Sequence, residues 1–171
     1  MKEIKENDKK FNTKKCKIYI IQTNNKGEEI NRYLSQVMEY DDRGNRIMKI
    51  IYDNNGELFW KEEVEYDVVG NKVRSYSYKS GNILEWIRTY LYDENNRRVE
   101  RIITDGEGNI DKRRVYKYDR RGHIREEIEY NSRGFVEWRE ISSYDSNGNR
   151  IEKIKYLKDI KERTKIQKFD D

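Results

Sequence analysis

Residues of contrasting character alternate along most of this chain. Leu58, Trp60, Glu62, Val64 and Tyr66 occupy every second position, as do Leu84, Trp86, Arg88, Tyr90 and Tyr92. The pattern returns as Ile110, Lys112, Arg114, Tyr116, Tyr118 and as Val136, Trp138, Glu140, Ser142, Tyr144. A period of two marks β-strands whose two faces differ. The intervening positions are mostly charged, for example Lys61, Glu63 and Glu65. Shorter segments carry Ile50 and Tyr52, Tyr76 and Tyr78, Ile102 and Thr104, Ile128 and Tyr130, Ile154 and Tyr156. On an unbroken ladder these join the same apolar face. Lys17-Ile18-Tyr19-Ile20-Ile21 is the first clear strand and Ile30 to Tyr40 the next.

Between the strands stand nine copies of one turn. Each has Gly or Asn at a fixed place: Gly44, Gly56, Gly70, Asn82, Asn96, Gly108, Gly122, Gly134 and Gly148. These two residues tolerate a left-handed backbone best. Three residues earlier comes Asp or Asn in every copy but one, where Lys79 stands. Such a side chain bonds the backbone two residues on and starts a type I turn. A tyrosine precedes it in all copies but one, where Thr104 replaces it. Each copy reads as a hairpin loop.

The Gly/Asn positions are alternately 12 and 14 residues apart, which makes a 26-residue hairpin repeat. The inequality makes equivalent residues slip by two positions per hairpin, as tilted strands require. The chain is therefore expected to be all-β, a continuous antiparallel meander of about ten strands, strongly coiled or closed as a barrel. The repeat domain spans residues 16–156, after a flexible basic arm at 1–15 and before a capping segment at 157–171. In that last segment helix and strand are both open.

Charged residues make up 41% of the 171 and 14 tyrosines accompany them, so the turns and aromatics argue for order where charge alone would not. Residues 1–19 carry a net +4 and residues 157–171 a net +1, leaving the repeat body close to neutral. No secretory signal or membrane-spanning apolar run is present, and Cys16 is the lone cysteine, which together favour a cytoplasmic protein.

The Tyr-Asp-x-x-Gly-Asn copies at 40–45, 66–71 and 144–149 resemble the RHS or YD-repeat family of bacteria. That resemblance implies a spiralling β-strip, with these Tyr, Asp and Gly positions structural. Large members enclose secreted toxins, but this chain is too short for a shell and shows no core protease motif or toxin tip. The array is also similar, more loosely, to MORN-type hairpin repeats, which usually serve as binding platforms.

No catalytic set stands out. His123 takes the place of a turn Asn, and Cys16 lacks a partnering Cys or His, so neither proton transfer nor a zinc site is indicated. No metal or cofactor is expected. Glu62, Arg88, Arg114 and Glu140 occupy equivalent central positions, and Trp60, Trp86 and Trp138 share another. Polar groups within an aromatic surround suit an interaction surface. The candidate partner-binding residues are Trp60, Trp86, Arg88, Tyr90, Arg114, Tyr116, Trp138 and Glu140. The reading is a non-enzymatic bacterial or phage scaffold that neutralises a protein partner, as an immunity protein, antitoxin or inhibitor would. The alternatives are a small anionic ligand held by Lys72, Trp86, Arg88 and Arg114, or nucleic acid bound by the Lys-rich termini.

Overall fold

The computed structural model describes residues 2–7, 15–157 and 164–168, with side chains over 15–157. Thirteen strands follow in chain order: β1 (Lys2–Asn7), β2 (Lys15–Thr23), β3 (Glu29–Tyr40), β4 (Arg46–Tyr52), β5 (Leu58–Tyr66), β6 (Lys72–Lys79) and β7 (Ile83–Tyr92). Then come β8 (Arg98–Asp105), β9 (Ile110–Tyr118), β10 (Ile124–Asn131), β11 (Val136–Tyr144), β12 (Arg150–Leu157) and β13 (Thr164–Lys168). Their order in the sheet is their order in sequence, with β1 and β13 at its two ends. It is an antiparallel meander, and among the described residues no pairing joins β1 to β13 to close a barrel. No helix among the described residues is long and apolar enough to cross a membrane. The chain forms two compact units, Met1–Ile87 and Arg88–Asp171.

Within the segment read as a flexible arm, Lys2–Asn7 forms β1 and pairs with β2 from Lys2↔Ile21 to Asn7↔Cys16. Residues 8–14 of that arm lie outside the described residues. Of the two outcomes open at the C-terminus, a final strand is the one formed: β13 pairs with β12. Residues 158–163 and 169–171 lie outside the described set.

The turns follow their sequence closely. All nine Gly/Asn positions have positive φ, including 58° at Asn82 and 59° at Asn96. In the first copy the Gly44 N–H donates to the Asp41 carbonyl and the Asp41 N–H to the Asn45 carbonyl. Asp41 Oδ1 accepts from the N–H groups of Arg43 at 2.9 Å and Asn45 at 2.8 Å. Lys79 cannot supply that acceptor, and there the chain instead makes a 3-10 turn, Ser80–Asn82, with Gly81 also at positive φ.

Pairing next to the turns carries an extra residue that the alternating pattern did not reveal. Tyr52 faces Leu58 but Ile51 faces Trp60, which leaves Phe59 as a bulge. The same step leaves Ile47, Val73, Asp111, Arg125, Glu137 and Ile151 as bulges in other hairpins. One inserted residue exchanges the faces of everything beyond it. The single apolar face expected from the sequence is therefore corrected. Trp60, Glu62 and Val64 share their face with Ile51, Lys49, Ser77 and Ser75, while Ile50, Tyr76 and Tyr78 lie with Lys61 and Glu63 on the other. Likewise Ile102 and Ile128 lie opposite Arg113 and Arg139. Leu58, Ile110 and Val136 pair with Tyr52, Thr104 and Tyr130, across the bulge from Trp60, Lys112 and Trp138.

The predicted slip does hold. Met48 lies level with Glu63 and Glu63 with Tyr76, two residues beyond Arg74, the repeat equivalent of Met48. Glu100, Val115 and Ile128 give the same displacement in the second unit.

Both faces consequently mix apolar and charged side chains, and burial is shared between them. Ile18, Val37, Val64, Tyr90, Tyr116 and Ile128 are buried, but so are Glu62, Glu126, Glu129, Ser75, Ser77 and Ser142. The charges are paired, as burial demands: Glu126, for example, binds Lys117 at 2.7 Å and also Arg139. Tyrosines on the face of Lys61 and Glu63 are covered by charged stems, Lys61 lying 4.1 Å from the Tyr78 ring centroid. Tyr78 and Tyr76 in turn donate to Glu63 and Glu65, both at 3.0 Å.

Candidate functional site

In the second unit, β8 to β12 bring together a cluster of charged and aromatic side chains on one face. Register places Arg114 opposite Arg101 on one side and Glu129 on the other, and Glu129 opposite Trp138. Glu140 lies between Glu127 and Lys155. The bulges make this possible, because they turn Glu127 and Glu129, rather than Ile128 and Tyr130, toward Arg114 and Trp138.

Glu129 is the hub. Only 4% exposed, it accepts from Arg114 Nε at 2.9 Å and from the Trp138 indole N–H at 3.1 Å. Arg101 and Lys112 approach it at 3.4 and 3.7 Å. Burial alone would raise its pKa, but the hydrogen bonds and charge of Arg114, with Trp138 and Lys112, hold the carboxyl below the usual range. Arg114 also binds Glu127 at 2.7 Å. Its guanidinium lies 4.6 Å from the Trp138 ring centroid, and the Lys155 ammonium 4.5 Å from the same ring. Glu140 binds Lys153 at 2.6 Å.

Of the eight candidate residues, Arg114, Trp138 and Glu140 belong to this cluster directly. Tyr116 and Tyr90 are buried beside it, joined by the Arg98 guanidinium at 4.7 and 5.8 Å from their ring centroids. Arg88, half-buried, opens the second unit, whereas Trp60 and Trp86 are half-buried in the first. There the Trp60 indole donates to Ser77 Oγ at 2.8 Å, and Glu62 binds Arg46 at 2.9 Å and Lys72 at 3.2 Å. Sequence reasoning missed Arg98, Arg101, Glu127, Glu129 and Lys155. Arg98 follows a turn too closely to show alternation, and the others lie on strands whose face the bulge reverses relative to their neighbours.

His123 behaves as the turn residue it replaces. Its Nδ1 is 3.2 Å from Asp119 Oδ2, as Asn45 Nδ2 is 3.0 Å from Asp41 Oδ2, and its ring stacks on Tyr144 at 4.6 Å. Cys16 is half-buried and unbridged.

No protein-family model matches the chain, and no curated protein matches it. Among solved structures, the crystal structure of TcdB2-TccC3 without its hypervariable C-terminal region aligns with a TM-score of 0.46 at 11% identity. That alignment covers 90% of this chain and 10% of the other. The Photorhabdus luminescens Tc holotoxin pore aligns with a TM-score of 0.33 at 11% identity, over 90% of this chain and 11% of the other. This chain thus spans about a tenth of the chains it aligns with.

Proposed function

We propose that this chain is a non-enzymatic scaffold that binds a protein partner through the face of Arg114, Trp138 and Glu140, with Tyr116 buried beside them, and thereby neutralises it. The observation that carries this reading is the fixing of Arg114 and Trp138 by the buried Glu129 carboxylate. Arginine, tryptophan and tyrosine dominate the energetically decisive positions of protein interfaces. Side chains held before binding lose less conformational freedom when a partner docks. Trp138 and Arg114 remain only partly buried, so their outer surfaces stay open to a partner. The repeat holds its backbone through turns whose N–H and carbonyl groups pair with each other.

Affinity capture with the full chain as bait, from nuclease-treated lysate of its native host, tests the reading. One stoichiometric protein, displaced by untagged chain, is the expected result. Intact, folded bait that returns without any protein overturns it.

A further inference from the structure

The two units contain one repeat position with opposite charge. In the first unit Arg46 and Lys72 share the buried carboxylate of Glu62. Two 26-residue repeats further on, Arg98 stands for Arg46 and Ile124 for Lys72, but Arg114 stands for Glu62. The carboxylate that neutralises Arg46 therefore has no counterpart beside Arg98. Tyr116 and Tyr90 replace Val64 and Met38, and the Arg98 guanidinium rests against both rings. Its Nε is fully covered and has no hydrogen-bond partner, and among the described residues it makes no ion pair.

The surroundings add positive charge. Arg101, whose guanidinium also reaches Glu129 at 3.4 Å, has a second covered Nε without a partner. Glu127 and Glu129 are engaged by Arg114, and Glu140 by Lys153. Aromatic faces compensate a guanidinium only in part, and a half-desolvated cation gains most from an anion placed against it. We infer that Arg98 is the centre of an oxyanion-binding site, taking from a ligand the carboxylate or phosphate group that Glu62 supplies to Arg46 in the first unit. The planar fork of arginine suits either group, binding two oxygens at once. The site stands independently of the protein-binding reading.

The test is an NMR titration of the full ¹⁵N-labelled chain with inorganic phosphate and, separately, with acetate, ionic strength being held by sodium chloride. The Arg98 Nε–Hε resonance is followed, with that of Arg46 as the internal control. The expected result is a saturable shift at Arg98 while Arg46 stays still. Saturation by phosphate alone identifies a phosphate-bearing ligand, and saturation by acetate identifies a carboxylate, such as an acidic side chain. In Arg98→Gln the saturable response of neighbouring amides disappears, and in Arg98→Lys, which keeps the charge but not the fork, it weakens several-fold. Equal, unsaturated drift at Arg98 and Arg46, or an unchanged saturation curve in a folded Arg98 variant, overturns the site.

Discussion

The Tyr66 hydroxyl donates to the Arg46 carbonyl at 3.0 Å, across the hairpin of β4 and β5. Tyr118 repeats the contact to Arg98 at 2.8 Å and Tyr144 to Ile124 at 2.9 Å. In each case the tyrosine that precedes one turn ties down the carbonyl that follows the previous turn on the same sheet edge. Arginines reinforce the edge: Arg43 donates to the Val68 carbonyl, and Arg121 to the Ser146 carbonyl at 2.8 Å. The repeat tyrosine is thus a lateral tie between turns as well as a strand residue.

Tyr118→Phe isolates that tie. It keeps the ring but leaves the Arg98 carbonyl without its donor, a loss of about 1 kcal/mol. Urea unfolding of the variant is expected to show a midpoint lowered to match. An unchanged midpoint would mean that water replaces the hydroxyl without penalty.

Gly148 separates two effects that coincide at most turns. Its φ is 88°, and a Cβ there would meet His123 Nε2 at 3.0 Å, whereas nothing lies within 4 Å at Gly56, where φ is 82°. Alanine in the left-handed region costs about 1–2 kcal/mol at either site. Gly148→Ala is expected to cost more than Gly56→Ala, because the His123 ring is held by Tyr144 and Asp119. In a double-mutant cycle, His123→Asn should recover that excess. Equal costs for the two alanine variants would show that the imidazole moves aside freely.

Acid weakens the turns. Hydrogen bonds from Asn45 hold the Asp41 carboxyl below its ordinary value, those from Asn109 do so for Asp105, and the His123 N–H leads for Asp119. A carboxyl depressed in the folded state contributes stability that is complete above its unfolded pKa, about 3.9. That stability is lost as pH falls through the folded value. The melting temperature should therefore hold from pH 7 to about 5 and fall below about 4. Asn131 shows that an amide can fill the role, its Oδ1 accepting from Arg133 and Phe135 at 3.0 Å. Asp119→Asn should accordingly flatten part of the acid limb, and a limb of unchanged steepness would place the titrating groups elsewhere.

How much of this was legible depended on whether a position constrains its residue. The turn sites demand a left-handed backbone, so Gly or Asn recurs and all nine were readable, down to the departure at Lys79. The bulges demand nothing of the side chain: Ile47, Phe59, Val73, Asp111, Arg125, Glu137 and Ile151 have no chemistry in common. Without them the alternation pointed Ile128 and Tyr130 at Trp138 and hid Glu127 and Glu129. Arg114, Trp138 and Glu140 were found because their strand alternates regularly beyond its bulge. Their partners lie on strands whose register the sequence does not mark.

Glu129→Gln probes what that hidden partner holds. It leaves Arg101, Lys112 and Arg114 around a neutral amide, and breaking a buried ion pair on one side costs about 3–5 kcal/mol. Chemical unfolding should show a loss near the lower end, since Glu127 still holds Arg114. Trp138 fluorescence should change as its indole partner is altered. A variant as stable as the parent would remove Glu129 from the centre of the cluster.

The proposed docking face for a protein partner is that of Arg114 and Trp138. Calorimetric titration of the captured partner into the parent chain and into Trp138→Ala, confirmed folded by its circular dichroism, tests it most directly. Affinity at least about thirtyfold weaker in the variant is expected, the scale of a decisive interface residue. Equal affinity in a folded Trp138→Ala chain would contradict it and move the interface to another surface.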